Sequence, residues 1–318
     1  MLCGEKQEMD KVSGIDLQLH ALQNLRGEML LDESMSRHTS WRVGGPADYF
    51  YKPADMDDLS IFLQQLPESM PLFWLGLGSN ILVRDGGIRG VVILTSGLLN
   101  EIELQGDNRI RVEAGVACAK VARIGARNHH VGVEFLAGIP GTMGGALAMN
   151  AGAFGGETWQ RVISVETMDR KGNRHLRKPD EYSVGYRSVK GPADEWFVAA
   201  TLQLDSGDSE AAQQRIKQLL AQRAASQPTQ MPSCGSVFRN PPDNFAAVLI
   251  EQAGLKDYHI GKACVSSKHA NFIINTGGAS AQDIEALIDH VHDTVQAQTG
   301  IDLIREVRVV GEYAGGVK

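Results

Sequence analysis

The chain has 318 residues, enough for two or three domains and a sizeable hydrophobic core, which excludes the class of disulfide-stapled mini-proteins. Hydrophobic residues make up 43% of the chain and charged residues 22%, as is usual for folded soluble proteins and unlike disordered chains. The formal net charge is −7, so there is no basic excess to bind a nucleic-acid backbone or an anionic membrane surface. We therefore expect neither nucleic acid nor a membrane as a partner.

The cysteines indicate a reducing compartment. The four cysteines are scattered and contain no C-x-x-C pair, so the sequence predicts neither a disulfide framework nor a zinc site. The histidines show no metal-ligand spacing, and we expect no metal. The N-terminus lacks an apolar signal-peptide core, and no apolar run approaches the ~18 residues that span a bilayer. These features predict a cytoplasmic protein.

The first third of the chain predicts a helix followed by short strands. Residues 1–20 are polar and aperiodic, and we expect them to form a lead-in. A helix is predicted from Asp55, which can cap it, because apolar residues recur at helical spacing up to Pro67. The apolar run at 72–75 predicts a buried strand, and a hairpin is predicted around residues 106–108.

The later elements alternate without regular β-α-β units, which argues against an all-parallel doubly wound sheet. A long helix is predicted at about 209–226, after a Ser206-Gly207-Asp208 segment that we interpret as a domain boundary. The other predicted helices lie at about 118–128, near 245–253 and from Ser280, and the other predicted strands at 162–168, 197–204, 272–274 and 304–310.

Two glycine-rich segments are candidates for ligand binding. The first, 76–80, follows a predicted strand, where backbone N–H groups can approach a pyrophosphate closely, although an ordinary tight turn explains it equally well. The second, 138–156, holds seven glycines in nineteen residues, which we consider too many for a regular element. A backbone wrapped against a large planar ligand accounts for both segments, and the alternative is a close-packed turn region. Neither segment is a Rossmann or P-loop motif.

Five groups of residues occur in the order of a known family. They are Trp41-Arg42-Val43-Gly44-Gly45-Pro46-Ala47-Asp48 with Gly78-Ser79-Asn80 and Gly138-Ile139-Pro140-Gly141; Tyr186-Arg187; Gly235-Ser236-Val237-Phe238-Arg239-Asn240-Pro241; Ser267-Lys268-His269-Ala270-Asn271-Phe272; and Glu306-Val307-Arg308. Together they resemble the MurB-type UDP-N-acetylenolpyruvoylglucosamine reductases over about residues 36–312. The resemblance implies that hydride passes from NADPH to non-covalent FAD and then to UDP-N-acetylglucosamine enolpyruvate, giving UDP-N-acetylmuramate for peptidoglycan.

The resemblance also implies three catalytic residues. Hydride addition leaves negative charge beside the substrate carboxylate, so the site must supply positive charge and a proton. Arg187 is expected to stabilise this charge and Ser236 to donate the proton. Glu306 is expected to hold the intermediate as an acid or to orient a water. Judged alone, these residues would be interpreted as a surface ion-pair arginine, a turn serine and a solvated strand-edge glutamate.

The same resemblance assigns the binding residues. The expected cofactor-binding residues are Trp41, Gly76, Leu77, Gly78, Ser79, Asn80, Leu82, Gly138, Ile139, Pro140, Gly141, Thr142, Gly144, Gly145, Ala148 and Val198. The expected substrate contacts are Asn150, Phe154, Asn240 and His269, although a structural role is as well supported for His269. Ser188 directly follows Arg187, and Val189 stands where the family commonly has serine. The short separation of Arg187 and Ser236 resembles the class without an inserted tyrosine loop, which leaves open what holds the substrate's diphosphate.

The fold class implied by the resemblance is α+β, with an oxidase-type (PCMH-like) FAD-binding fold of two subdomains and a substrate-binding domain. We place the subdomains at 21–94 and 95–205, the third domain at 206–311 and a tail at 312–318. We expect a monomer. Two alternatives keep the fold: an FAD-dependent oxidase of a small alcohol or aldehyde, and a nucleotide-binding regulatory module without turnover.

Overall fold

The computed structural model describes residues 22–316, so the expected lead-in at 1–20 and the end of the expected tail lie outside it. Its α-helices are α1 (Met56–Gln64), α2 (Cys118–Arg127), α3 (Met143–Ala148), α4 (Ser209–Ser226), α5 (Ala246–Gln252) and α6 (Ala281–Thr299). Its strands are β1 (Glu28–Ser34), β2 (Pro46–Lys52), β3 (Leu72–Leu75), β4 (Ile81–Val83), β5 (Ile88–Leu94), β6 (Ile102–Gln105), β7 (Arg109–Glu113), β8 (His130–Val131), β9 (Gly152–Ala153), β10 (Gly156–Glu157), β11 (Val162–Asp169), β12 (Arg174–Arg177), β13 (Ser183–Gly185), β14 (Ser188–Lys190), β15 (Glu195–Gln203), β16 (Asp205–Ser206), β17 (His259–Ile260), β18 (Ala263–Val265), β19 (Ile273–Asn275) and β20 (Arg308–Val310).

The first subdomain is built on a four-stranded mixed sheet in the order β1-β2-β5-β3. β1 and β2 are antiparallel, whereas β5 is parallel to both β2 and β3. α1 begins after Asp55, whose carboxylate accepts a hydrogen bond from the Asp58 N–H. Leu59 and Phe62 of this helix are fully buried in a cluster that includes Tyr51 of β2. The helix predicted from Asp55 is thus confirmed.

The second subdomain is built on a five-stranded antiparallel sheet in the order β12-β11-β15-β7-β6. Helices α2, α3 and α4 contribute to the hydrophobic core of this sheet. Ala212 and Ile216 of α4 are buried in this core, so α4 packs with the second subdomain. The sequence places α4 in a third domain that begins at residue 206. In the structure, the apolar residues of α4 pack against the sheet of the second subdomain.

The glycine-rich segment contains α3, which corrects the expectation that its glycine content excludes a regular element. A Cβ atom added to Gly144 would lie 2.9 Å from the Ala114 Cβ, just beyond the end of β7. Glycine therefore lets this short helix lie unusually close to the sheet.

The third domain combines the small sheet β17-β18-β19 with α5 and α6. Ser280 and Asp283 form the capping box predicted for α6, and the apolar stripe of this helix is buried. The core of the domain also contains Trp41, Val43 and Leu82 from the first subdomain. The third domain and the first subdomain thus share one hydrophobic core.

Polar contacts join the same two regions. β20 pairs in parallel with β4, in the register Arg308 to Ile81. The Arg84 guanidinium donates two hydrogen bonds to the Glu285 carboxylate, at 2.8 and 2.9 Å. The Asp85 carboxylate accepts hydrogen bonds from the first N–H groups of α6, at 3.0 Å each. The third domain is therefore fixed to the first subdomain at its last strand and at the start of its longest helix.

Candidate active site

The two glycine-rich segments lie against each other. A Cβ atom on Gly76 would lie 2.6 Å from the Thr142 Oγ1, and one on Gly141 would lie 3.6 Å from the Ser79 Oγ. The Gly78 carbonyl accepts a hydrogen bond of 2.9 Å from the Ser40 N–H, which fixes the loop at 76–80 on its other side. The structure therefore brings both segments to one place.

A cradle for a planar ligand follows from this arrangement. The Thr142 side chain is only 2% exposed, yet its hydroxyl has no hydrogen-bond partner among residues 22–316. A buried polar atom of this kind calls for a partner that the protein itself does not supply. Glycine at 76 lets the loop at 76–80 approach this hydroxyl closely, since a Cβ there would collide with it.

A cleft of about 310 Å³ opens beside the cradle, between all three parts of the molecule. Ser79 and Pro140 of the two glycine-rich segments line it, and Gly235 of the third domain lines the opposite side. Arg42 and Arg223 also line the cleft, and neither forms an ion pair with a carboxylate in the described part of the chain. A glycine cradle with a cationic cleft suits a flavin joined to a diphosphate, so these residues fit FAD.

Arg187 lies at the tip of the hairpin formed by β13 and β14, where its φ is +52°. Its Nη2 donates to the Gly152 carbonyl at 3.0 Å and its Nη1 to the Asn150 carbonyl at 3.4 Å. Its Nε donates to the Glu306 Oε1 at 3.0 Å. The two side chains are 17% and 12% exposed, so this ion pair is largely shielded from water. The structure thus brings together two of the predicted catalytic residues from the second subdomain and the third domain.

Burial raises the pKa of Glu306, while the charges and hydrogen bond of Arg187 and the charge of Arg239 oppose that rise. A carboxyl group with a raised pKa keeps its proton closer to neutral pH than an exposed one. Glu306 is therefore placed to act as an acid as well as an ion-pair partner.

Ser236 lies on a loop segment beside Glu306. The Glu306 N–H donates to the Val237 carbonyl at 2.8 Å, so the two predicted catalytic residues occupy neighbouring stretches of backbone. Ser236 is half-buried, and its hydroxyl makes no hydrogen bond to another described residue. Arg187 and Glu306 thus form an ion pair, and Ser236 precedes the residue that Glu306 bonds and follows Gly235, which lines the cleft.

Asn150, one of the expected substrate contacts, already has hydrogen-bond partners within the protein. The buried Asn150 amide is hydrogen-bonded to the Glu157 carboxylate, the Gly185 carbonyl and the Trp159 N–H, so it is occupied within the second subdomain. Asn150 instead supports Arg187 through its main-chain carbonyl. The expected contact of Asn150 with substrate stays a prediction.

The other three expected substrate contacts lie near the site. Phe154 is 36% exposed and its ring covers Gly138. The Asn240 Oδ1 accepts from the Ala246 N–H at the start of α5. Burial lowers the pKa of His269, and its Nδ1 has no partner among residues 22–316.

Three expected cofactor-binding residues point into cores. The Trp41 ring is fully buried and its Nε1 donates to the Ile273 carbonyl at 2.7 Å. The side chains of Leu82 and Val198 are fully buried as well. A contact of these three residues with FAD would therefore have to be made through the main chain. The remaining expected residues lie in or beside the glycine cradle, on 76–80 and 138–148.

Sequence reasoning did not assign two residues that shape the site. The Gly152 carbonyl holds Arg187, and the Asn271 amide holds the segment that carries Ser236. A main-chain carbonyl leaves no signal in the sequence. Asn271 does stand within the motif at 267–272, where a buried amide could have been suspected.

Comparison with known proteins shows the family of the chain. Residues 47–176 match the model of an FAD binding domain, and residues 227–310 match the C-terminal domain of UDP-N-acetylenolpyruvoylglucosamine reductase. The reductase of that name from Legionella pneumophila is 58% identical over 302 residues, covering 95% of this chain and 97% of the relative. The one from Methylococcus capsulatus is 60% identical over 287 residues, covering 90% of this chain and 94% of the relative.

A solved structure agrees as well. The UDP-N-acetylenolpyruvylglucosamine reductase of Thermus caldophilus superposes with a TM-score of 0.77 at 32% identity, covering 90% of this chain and 99% of that one. The predicted fold class and the FAD cofactor are confirmed by these matches. The chain therefore belongs to the UDP-N-acetylenolpyruvoylglucosamine reductase family and is an FAD-dependent oxidoreductase.

Proposed function

We propose that the protein reduces UDP-N-acetylglucosamine enolpyruvate to UDP-N-acetylmuramate with NADPH as the hydride donor, a step of peptidoglycan precursor synthesis. The observation that carries the proposal is the shielded Arg187–Glu306 pair, whose Glu306 N–H bonds the carbonyl of the residue directly after Ser236. Bound FAD would supply the hydride-transfer chemistry between NADPH and the enolpyruvyl group. The glycine cradle at 76–80 and 138–145, with Arg42 and Arg223, would hold it.

Arg187 supplies fixed positive charge where negative charge develops on the substrate. Its guanidinium is oriented by two carbonyl groups and Glu306, so little reorganisation is needed when the enolate-like charge forms. The surrounding burial strengthens this interaction, because a lower effective dielectric screens charges less.

Ser236 donates the proton that completes the reduction. A serine hydroxyl is a weak acid, so its proton must be stabilised in transfer by neighbouring charge or replaced through a water. Glu306, whose pKa burial raises, is the nearby group that can retain a proton to replace it. Asn240, Phe154 and His269 are proposed to contact the substrate around these groups.

We further propose that the protein works as a monomer in the cytoplasm, where its nucleotide substrates are made. Cys118, Cys234 and Cys264 are buried free thiols, as is usual for proteins of a reducing compartment. Within residues 22–316, no helix has both the length and the apolar character needed to cross a membrane.

An anaerobic two-step spectrum of the purified holoenzyme tests the function. NADPH is expected to bleach the visible flavin band, and UDP-N-acetylglucosamine enolpyruvate is expected to restore it. Bleaching without restoration by this substrate, but with restoration by oxygen, would contradict the reductase function and favour the oxidase alternative. A protein that binds FAD but is not bleached by NADPH would contradict the proposed hydride donor.

A further inference from the structure

We infer that Asn271 is the residue that positions Ser236 for proton transfer, an inference that rests on the proposed function. Asn271 is 2% exposed and lies across from the loop segment that carries Ser236. Its side-chain Oδ1 accepts from the Phe238 N–H at 2.9 Å, and its Nδ2 donates to the Phe238 carbonyl at 2.8 Å. Its main-chain carbonyl accepts from the Val237 N–H at 2.9 Å.

These three hydrogen bonds satisfy main-chain donors and acceptors of the two residues directly after Ser236. The amide of Asn271 bonds both polar groups of one residue, Phe238, as a neighbouring strand would. The other side of the stretch is bonded by the segment that leads to Glu306, through Glu306 N–H to Val237 carbonyl at 2.8 Å and Arg239 N–H to Ile304 carbonyl at 2.9 Å. The backbone that carries Ser236 is therefore fixed between Asn271 and Glu306.

An asparagine is needed for this role because one end of its side chain donates and the other accepts. A leucine has nearly the same size but leaves the Phe238 N–H and carbonyl without partners in a buried place. An aspartate keeps the acceptor and loses the donor, and it places an oxygen opposite the Phe238 carbonyl. Either change loosens the register of the segment relative to Glu306.

Loosening this segment affects one half-reaction. A misplacement of about 1 Å in a reacting group can cost on the order of a hundredfold in rate. Ser236 acts only when the substrate is reduced, whereas hydride transfer from NADPH needs the flavin cradle at 76–80 and 138–145. Loss of the Asn271 amide should therefore slow reoxidation by substrate and spare reduction by NADPH.

The test compares Asn271→Leu with Asn275→Leu in the FAD-loaded enzyme, by anaerobic stopped-flow of both half-reactions. Asn275 is a matched control because it is also a buried asparagine of this domain, 6% exposed, and its amide bonds Trp41, Gly277 and Ala279 instead. For Asn271→Leu we expect at least tenfold slower reoxidation, with bleaching by NADPH within twofold of the native rate. For Asn275→Leu we expect the two rates to keep their native ratio. If Asn271→Leu does not fold, Asn271→Asp is measured in its place, with the same expected selectivity.

A double-mutant cycle with Ser236→Ala separates this inference from the proposed function. If Asn271 acts through Ser236, adding Asn271→Leu to Ser236→Ala causes no further loss of the reoxidation rate. A slow Ser236→Ala enzyme with additive or absent effects of Asn271→Leu would overturn the inference alone. A Ser236→Ala enzyme that reoxidises at the native rate would remove Ser236 as the proton donor and overturn both.

Discussion

Arg187 has a strained main-chain conformation, which the hydrogen bonds of its side chain stabilise. A φ of +52° in a residue with a Cβ costs about 1–3 kcal/mol, and the three hydrogen bonds of the guanidinium keep the residue in this conformation. For Arg187→Lys we expect reoxidation by substrate to fall about 100-fold or more, because an ammonium group cannot hold the same fork of contacts. Anaerobic single-turnover spectroscopy measures this rate. Arg215→Lys, on the exposed side of α4, is the control, and equal effects of the two changes would contradict the prediction.

Gly78 makes a second test at the level of one residue. Its φ is +66°, and an added Cβ would lie 1.9 Å from the His38 carbonyl oxygen, so the loop at 76–80 must move to accept alanine. We expect Gly78→Ala to weaken FAD binding more than tenfold, measured by fluorescence titration of the apoprotein. Gly97→Ala is matched, since Gly97 also has a positive φ, +75°, but a Cβ there meets nothing within 4 Å. Equal FAD affinity of the two variants would contradict the prediction.

At the level of single residues, the sequence indicates which chemistry the candidate site has available. The resemblance pointed to Arg187 and Glu306, which the structure brings into an ion pair 119 positions apart in sequence. The side chain of Asn150 is engaged in local hydrogen bonds, which no motif reports. A residue type at a motif position states which chemistry is available, but not which atoms have already been used.

Among the elements, the hairpin of β11 and β12 is held by one carboxylate. Burial acts to raise the pKa of Asp169, but hydrogen bonds from His175, from Asn173 and from the Lys171 N–H outweigh it and lower the pKa to about 2. The lowered pKa means that the ionised form stabilises the fold at any pH above the unfolded value of about 4, and that this contribution is lost as pH falls towards 2.

We therefore expect Asp169→Ala to destabilise the protein by about 1–2 kcal/mol at pH 6, a value reduced for partial exposure of this side chain. Urea unfolding at pH values from 6 down to 2.5 measures the difference from the native protein. That difference should shrink below pH 4. A difference that stays constant over this range would show that Asp169 acts through packing rather than through its charge.

Elements were predicted well where local chemistry decides them. The carboxylate cap at Asp55 and the capping box at Ser280 and Asp283 gave helix starts that the structure confirms. The packing of α4 is not predictable in the same way, because an apolar stripe shows that a helix is buried but not which sheet it packs against. The helix at Met143–Ala148 is not predicted from sequence, because glycine lowers helix propensity. The glycine at 144 is explained only by the tertiary structure, where it allows a close contact with Ala114.

At the scale of the whole molecule, the shared core predicts that the third domain and the flavin loop, residues 76–80, unfold together. Glu285 is 7% exposed and pairs with Arg84 of the first subdomain. For Glu285→Gln we expect a loss of about 1–3 kcal/mol, because a buried charged hydrogen bond is weakened and Arg84 is left without its carboxylate. Urea unfolding is followed by circular dichroism and by flavin release.

In Glu285→Gln, circular dichroism and flavin release should change at the same urea concentration. This midpoint should lie below the midpoint of the native protein. Glu251→Gln is the control, because its partner Lys256 lies on the surface of the third domain and the pair should contribute little. Flavin release that precedes the loss of secondary structure in Glu285→Gln would contradict joint unfolding of the two regions.

The parallel pair of β4 and β20 has a consequence for how the protein is made. The flavin loop runs directly into β4, Glu306 lies just before β20, and the Asn80 side chain bonds the Glu306 carbonyl at 3.2 Å. Strands so far apart in sequence pair late, because a long loop must close first. A ribosome must therefore synthesise the chain through residue 310 before the flavin loop finds its last neighbour. FAD is then bound only at the end of biosynthesis, and a chain truncated before β20 would leave the ribosome without bound flavin.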